Sequence, residues 1–420
     1  MGKFGAVKGM RDLLPPETAL WNHVEDLARR VFTAYGYAEI RTPLVEETQL
    51  FARSVGAETD IVAKEMYSFE ERDGGSLSLR PEATASVVRA YIEHRLWEQP
   101  GLTKLYYQGP MFRRERPQKG RYRQFWQIGA EAIGSESPAV DAEMLEMLCA
   151  LLDRVGLKDY RLLLNSLGDA ACRPRYLEEL RGALAAVKER LCSDCRRRAD
   201  TNPLRVLDCK VPADQPIIEK LPRVADHLCD ACRDHYERLQ TQLRDRGIAF
   251  TLTPRMVRGL DYYTRTTFEF VHGALGAQNS VLGGGRYDGL SEALGGPRAP
   301  GIGFSIGEDR LVFLLSESGV AAPAQPLDVY VAWLGEGAFA HAAALARDLR
   351  GRGHAAELQP EALKLCRALE IASKLGARFA LIVGENEVAT RRYALKDLGR
   401  GEQKELSWEE VLAAVAAPRS

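Results

Sequence analysis

Phe112-Arg113-Arg114-Glu115-Arg116-Pro117-Gln118-Lys119-Gly120-Arg121-Tyr122-Arg123-Gln124-Phe125 is the stretch from which the fold of this chain is read. Six basic side chains stand against the single acid Glu115, with aromatic residues interleaved. The flanking segments 104–112 and 123–133 alternate with period two, so the stretch is the long loop of an antiparallel hairpin. A guanidinium fork matches phosphate oxygens, and an aromatic face stacks on a base. An arbitrary arginine-rich loop is more often a solvated charged turn. Here the outgoing strand puts Gln127, Gly129 and Glu131 on one face. An amide and a carboxylate beside a basic loop suit a polar ligand pocket.

Outward from this hairpin, residues 17–35 carry Leu20, Trp21, Val24, Leu27, Ala28, Val31 and Phe32 near helical spacing, which predicts an amphipathic helix. Strands are expected over 37–44, ending at Pro43, and over 76–79. Pro81 opens a helix that runs through Tyr91. Ala142, Leu145, Met147, Leu148, Leu151 and Leu152 mark a helix after the hairpin. Residues 168–246 read as a charge-rich helical insertion in a strand-rich domain, and strand patterning resumes at 248–253, 266–271 and 280–282. Gly283-Gly284-Gly285 supplies backbone permissive of close ligand approach, with an ordinary turn as the competing reading. Gly301-Ile302-Gly303 reads as a tight turn before a helix at 308–316, with Arg310 near its start. Ala321-Ala322-Pro323-Ala324-Gln325-Pro326 is a linker. Beyond it, a strand at 328–334, helices ending near 352 and 375, and a strand at 379–384 form a compact α/β module. The division expected is 1–322 and 323–420.

Composition sets limits on these readings. The 420 residues are 45% hydrophobic and 27% charged, which suits a chain able to bury a core. With 57 basic and 58 acidic side chains, any nucleic-acid binding must rest on local basic patches. No apolar run approaches the roughly 18 residues of a membrane span, and the opening residues lack a secretory pattern. A cytoplasmic location without membrane association is expected. Of eight cysteines, five (Cys192, Cys195, Cys209, Cys229 and Cys232) fall within 41 residues. The pairs Cys192-Ser193-Asp194-Cys195 and Cys229-Asp230-Ala231-Cys232 are expected to meet in one four-thiolate structural Zn2+ site, stapling a subdomain with little apolar surface. The competing reading is free cysteines at helix ends.

Three further segments carry chemistry: Arg258-Gly259-Leu260-Asp261-Tyr262-Tyr263, then Gly283-Gly284-Gly285-Arg286-Tyr287-Asp288, then Gly301 to Arg310. Singly each is ambiguous, but their order is not. The helix and strand ending at Pro43, the stretch from Tyr107 to Glu131 with Phe112-Arg113-x-Glu115, and the stretch from Gly301 to Arg310 resemble the three motifs of class II aminoacyl-tRNA synthetases. Arg258 to Phe270 and Gly283 to Asp288 resemble signatures of the histidine-specific branch. The likeness runs from Gly9-Met10-Arg11-Asp12 into the C-terminal module. Ala83 and Arg114 depart from it, where glycine and often histidine are expected.

The resemblance implies an α+β fold: an antiparallel sheet flanked by helices, the helical insertion, and a C-terminal α/β anticodon-binding domain. It implies a ligase that activates L-histidine with ATP and Mg2+ to histidyl-adenylate plus pyrophosphate, then transfers histidine to the 3′ end of the histidine tRNA. By similarity, Arg113 holds the α-phosphate, Arg310 the γ-phosphate, and Glu115 lies near the nucleotide. Arg258 sits between the substrate carboxylate and the α-phosphate. Glu82, Thr84 and Gln127 bind the α-ammonium group, and Glu131 and Tyr263 bind the ring nitrogens with Tyr262 alongside. Arg116, Gln118 and Arg123 face the tRNA acceptor end, and a homodimer forms through the first motif. The alternatives are a non-catalytic regulatory paralogue of histidine biosynthesis, which usually loses the C-terminal module and the catalytic arginines, and a synthetase for threonine or proline.

Overall fold

The basic stretch closes a hairpin of two ten-residue strands, Thr103–Phe112 and Gln124–Ile133, paired antiparallel from Thr103↔Ile133 to Phe112↔Gln124. In this computed structural model, residues 4–56, 59–117, 120–257, 260–275, 279–321 and 327–417 are described. The hairpin belongs to an eight-stranded sheet in the order Ala38–Glu39, Thr103–Phe112, Gln124–Ile133, Gly301–Gly307, Ser280–Arg286, Thr264–His272, Tyr160–Ser166, Thr251–Leu252. Its six inner strands pair antiparallel, and each edge strand is added in parallel.

Gly301–Gly303, expected as a turn, and Gly283–Gly285, for which a turn is the competing reading, both lie inside strands. Gly283, Gly284 and Gly285 pair on both sides, with Ser305, Phe304 and Gly303 and with Glu269, Phe268 and Thr267. A Cβ on Gly284 would overlap the Gly303 carbonyl oxygen and come 2.7 Å from the Phe268 ring. The glycines therefore relieve crowding between neighbouring strands, and no reversal of the chain is involved. The strand expected over 37–44 shrinks to Ala38–Glu39, and that over 248–253 to Thr251–Leu252, because only those residues find a partner at the sheet's edges.

The helices Glu17–Ala34 and Pro138–Arg154 bury Val24, Val31, Phe32, Leu145, Leu148 and Leu152 in one core with Ile128, Phe268 and Phe304 of the sheet. Phe32 packs its ring 5.4 Å from Tyr106 and 5.8 Å from Phe304. Ser137 caps the second helix by accepting from the Ala139 N–H, and Pro138 pre-sets the helical φ at its first turn. The insertion is helical, with Arg173–Val187, Ser193–Thr201 and Asp230–Asp245 as its main helices. It does not lack a core: Leu180, Leu184, Leu191, Leu239 and Leu243 join the main apolar cluster. Under the sheet, Arg286 donates to Asp141 Oδ1 at 2.5 Å and Thr266 donates to Asp141 Oδ2 at 2.6 Å, all three fully buried.

Residues Met1–Ala322 and Pro323–Ser420 form two compact units. The second has a five-stranded sheet in the order Ala356–Leu358, Val329–Trp333, Phe379–Val383, Tyr393–Asp397, Gln403–Leu406, with the helices Phe339–Gly351, Leu365–Lys374 and Trp408–Ala416. Its last two strands and last helix went unseen in the sequence pattern. Gln403–Leu406 is a short polar edge strand whose only signature is its pairing with Tyr393–Lys396.

Candidate active site

Where the hairpin meets the strands Gly301–Gly307 and Ser280–Arg286, the sheet opens into a pocket of about 770 Å3. Glu82, Thr84, Arg113, Glu115, Gln127, Tyr262, Tyr263 and Arg310 all line it. Arg258 and Gln118 lie outside the described residues. Arg116 is exposed on the hairpin loop, away from the pocket lining.

In the pocket, Arg113 donates from Nε to the Pro81 carbonyl at 2.8 Å, sits over the Phe125 ring at 5.2 Å, and approaches Glu115 at 3.6 Å. Glu115 also accepts from Arg121 at 2.9 Å. Arg310 stands in the first turn of the helix Glu308–Glu317. Burial first, and then the Arg121 charge, lower its pKa to about 10. A cation destabilised in this way favours the arrival of an anion. Its neighbour Asp309 accepts from the Trp126 N–H at 2.9 Å and from Arg11 at 3.1 Å, while Arg11 stacks on Tyr122 at 4.5 Å. The segment Gly9-Met10-Arg11-Asp12 therefore straps the hairpin to the helix that bears Arg310. Arg123 is bound into the same strap, donating its N–H to the Gly9 carbonyl at 2.7 Å and its guanidinium to the carbonyls of Glu115 and Lys8.

The same pocket also has aromatic and buried lining. Glu82 accepts from the N–H groups of Thr84 at 2.6 Å and Ala85 at 3.0 Å, which satisfies donors at the start of the helix Thr84–Glu93. Gln127 donates to Ser305 Oγ at 3.4 Å, while its own Oε1 is buried without a partner among the described residues. Glu131 is fully buried and lies just beneath the pocket wall, outside its lining. Thr84 donates to its Oε1 at 2.8 Å and Tyr287 to its Oε2 at 2.7 Å. A Cβ on Gly303 would collide with this carboxyl group, so the glycine in the facing strand makes room for it. Loss of water dominates here and pushes the Glu131 carboxyl up to about 8, even with two hydroxyl donors opposing the shift. Tyr262 and Tyr263 pack with centroids 4.8 Å apart, and Tyr262 meets Tyr287 edge to face at 6.0 Å. Tyr107, Arg121 and Tyr287 line the pocket and were not singled out from sequence. Tyr107 shares the inward period of its strand, which was a signal available to sequence reading.

The two Cys-x-x-Cys pairs do not meet. Cys192 and Cys195 gather with Cys209 and Asp214, and Cys229 and Cys232 gather with Cys172 and Asp169. A single four-thiolate site is therefore excluded. The insertion folds each pair back onto a cysteine and an aspartate from another element, and it does not fold the pairs onto each other.

An antiparallel sheet flanked by helices, whose pocket gathers Arg113 and Arg310 with Glu82, Gln127 and buried tyrosines, defines the catalytic core of a class II aminoacyl-tRNA synthetase. Comparison narrows the class. The histidyl-tRNA synthetase family model matches residues 9–311, and an anticodon-binding-domain model matches residues 328–417. Histidine–tRNA ligase of Solibacter usitatus is 64% identical, covering 98% of this chain and 99% of that protein. Its counterpart in Koribacter versatilis is 58% identical, covering 97% of this chain and 94% of that one. The crystal structure of apo S. aureus histidyl-tRNA synthetase superposes with a TM-score of 0.84 at 37% identity, covering 98% of this chain and all of that one. The chain belongs to the histidyl-tRNA synthetase family. Full-length likeness to ligases favours a catalytic member over the regulatory paralogue.

Proposed function

We propose that this chain joins L-histidine to its tRNA in two steps at the pocket described above. The carboxylate of histidine attacks the α-phosphorus of ATP, the bond to the β-phosphate breaks, and pyrophosphate leaves. A terminal ribose hydroxyl of the tRNA then attacks the activated carbonyl carbon, and AMP leaves. Catalysis of this kind rests on positioning and charge neutralisation. The observation that carries the reading is the make-up of the pocket: Arg113, Glu115 and Arg310 line it together with Glu82, Thr84, Gln127, Tyr262 and Tyr263, and Gln127 Oε1 is buried without a partner among the described residues.

In this assignment Arg113 binds the α-phosphate, Arg310 the γ-phosphate, and Glu115 orients the arginines around the nucleotide. Arg258 bridges the substrate carboxylate and the α-phosphate. Glu82, Thr84 and Gln127 accept the α-ammonium group, with the unpartnered Gln127 oxygen supporting that role. Glu131 and Tyr263 take the two ring nitrogens, and Tyr262 closes the side of the ring. Glu115 and Glu269 stand among the pocket's cations. Two carboxylates suit Mg2+ carried in on ATP phosphates better than a dedicated protein cage. Arg116, Gln118 and Arg123 are the loop residues assigned to the tRNA acceptor end, and residues 323–420 to the anticodon. A cytoplasmic homodimer completes the proposal. Histidine-dependent exchange of pyrophosphate into ATP, and charging of the histidine tRNA but no other, are the expected results. Exchange driven equally by threonine or proline would overturn the assignment.

A further inference from the structure

We infer that the insertion holds two structural zinc ions, one bound by Cys192, Cys195, Cys209 and Asp214 and the other by Asp169, Cys172, Cys229 and Cys232. In each group the four ligand atoms lie within 4.8 Å of one another. A tetrahedral ion with sulfur at about 2.3 Å has sulfur–sulfur edges of about 3.8 Å, and edges to a carboxylate oxygen of about 3.5 Å. The first group has Cys192 Sγ 3.9 Å from Cys209 Sγ, and Cys209 Sγ 3.3 Å from Asp214 Oδ2. The second has Cys172 Sγ 3.9 Å from Cys232 Sγ, and Asp169 Oδ1 3.5 Å from Cys172 Sγ and 3.9 Å from Cys229 Sγ. These are the edges of an ion-sized tetrahedron. They are far longer than the roughly 2.05 Å of a disulfide bond. Three thiols per group would also leave one unpaired in any disulfide scheme.

The surroundings complete each site. Cys209 Sγ accepts from the Val211 N–H at 3.4 Å, and Cys172 Sγ from the Asp169 N–H at 3.3 Å. Asp214 accepts from the Cys192 N–H at 3.1 Å, and Asp169 from the Ala171 N–H at 3.0 Å. Donors of this kind orient ligands and support the thiolate form. Asp214 is only 2% exposed, its carboxylate held beside the thiols by the Cys192 N–H. Gly168 takes φ +63 where a Cβ would press on Cys172 Sγ at 2.6 Å, so the chain bends to seat that sulfur.

The two ions have different mechanical work. The second ties the loop leaving the strand Tyr160–Ser166 to the start of the helix Asp230–Asp245, clamping the two ends of the insertion together. The first ties the helix Ser193–Thr201 to the segment carrying Cys209. Arg205, Asp208 and Lys210 beside that segment line the active-site pocket. Arg198 and Arg205 also reach Asp60 of the same wall, each at 3.6 Å. Removing the first ion should therefore loosen the pocket wall, and removing the second should loosen the anchorage of the insertion.

The test is zinc content by elemental analysis and native mass spectrometry on the full chain, purified without a metal-binding tag and dialysed with and without added zinc. About two ions per chain are expected. Cys195→Ala and Cys232→Ala should each leave about one, the double variant none, and Cys366→Ser, at an exposed thiol in the other unit, should retain both. Cobalt(II) substitution of the unaltered protein provides a readout that does not require any variant to fold. It should give sulfur-to-cobalt charge-transfer absorption and tetrahedral d–d bands, which saturate at two equivalents. Three results would overturn the inference: fewer than about a tenth of a zinc per chain after zinc dialysis, an intact mass lowered by disulfide hydrogens, or a zinc content indifferent to Cys195 and Cys232.

Discussion

Replacing Glu131 with glutamine tests the histidine end of the pocket without changing its shape. Both carboxyl oxygens accept from hydroxyls, Thr84 at 2.8 Å and Tyr287 at 2.7 Å. An amide offers one acceptor and one NH2, so one hydroxyl must reverse its role. The ring nitrogen that Glu131 serves also loses a partner able to carry charge. A hydrogen bond involving a charged group contributes about 1.5–3 kcal/mol, which predicts a 10- to 150-fold rise in KM for histidine with little change in KM for ATP. The pH dependence sharpens the test. Burial holds the Glu131 carboxyl up to about 8, while the histidine ring titrates near 6.5 when free in water. Between those values the carboxyl–imidazole pair carries one proton, and binding needs no proton exchange. Above about 8 the pair must take up a proton, so KM for histidine should rise by up to tenfold per pH unit, and Glu131→Gln should abolish that rise. The same group affects folding. Its pKa is raised in the folded state, so its contribution to stability is fully present below the unfolded value near 4.5 and is lost as pH climbs through about 8. Pyrophosphate exchange measured against histidine concentration from pH 6 to 9 reads the substrate effect directly. A variant with unaltered KM, or one that keeps the alkaline rise, would refute the reasoning.

Arg258→Ala should slow histidyl-adenylate formation about 10²- to 10³-fold while leaving ATP binding measurable, because its charge matters most as the α-phosphoryl group becomes crowded; single-turnover adenylation checks this, and a near-normal rate would remove the residue from the chemistry. Deleting residues 326–420 should leave histidine activation detectable and weaken charging at limiting tRNA, whereas undiminished charging would contradict the anticodon assignment. Arg286→Leu leaves the buried Asp141 without its cation, a loss of about 3–5 kcal/mol. In thermal unfolding this should lower the Tm of the first unit by about 4–7 °C, and a change of less than about a degree would mean that the pair is energetically neutral.

Local chemistry in the sequence was enough for several readings. The period-two strands on either side of the basic loop, the amphipathic helix that became Glu17–Ala34, and the motif order that marks the family are short-range patterns, legible because side-chain alternation and spacing follow directly from backbone geometry. Tertiary structure decided whatever depended on neighbours from distant parts of the chain. The triple glycine became strand because Phe268 and the Gly303 backbone occupy the space where its side chains would stand. Arg123 ties the basic loop to Gly9 and Lys8, more than a hundred residues away in sequence. Glu131 owes its raised pKa to burial once the sheet has closed, against hydroxyl donors from Thr84 and Tyr287 that come from distant parts of the chain. The cysteine pairs announced themselves by spacing, but Cys172 and Asp169 stand 60 residues from their partners, Cys232 and Cys229. Spacing reports which thiols share a turn of backbone, and only the fold reports which turns share a point in space.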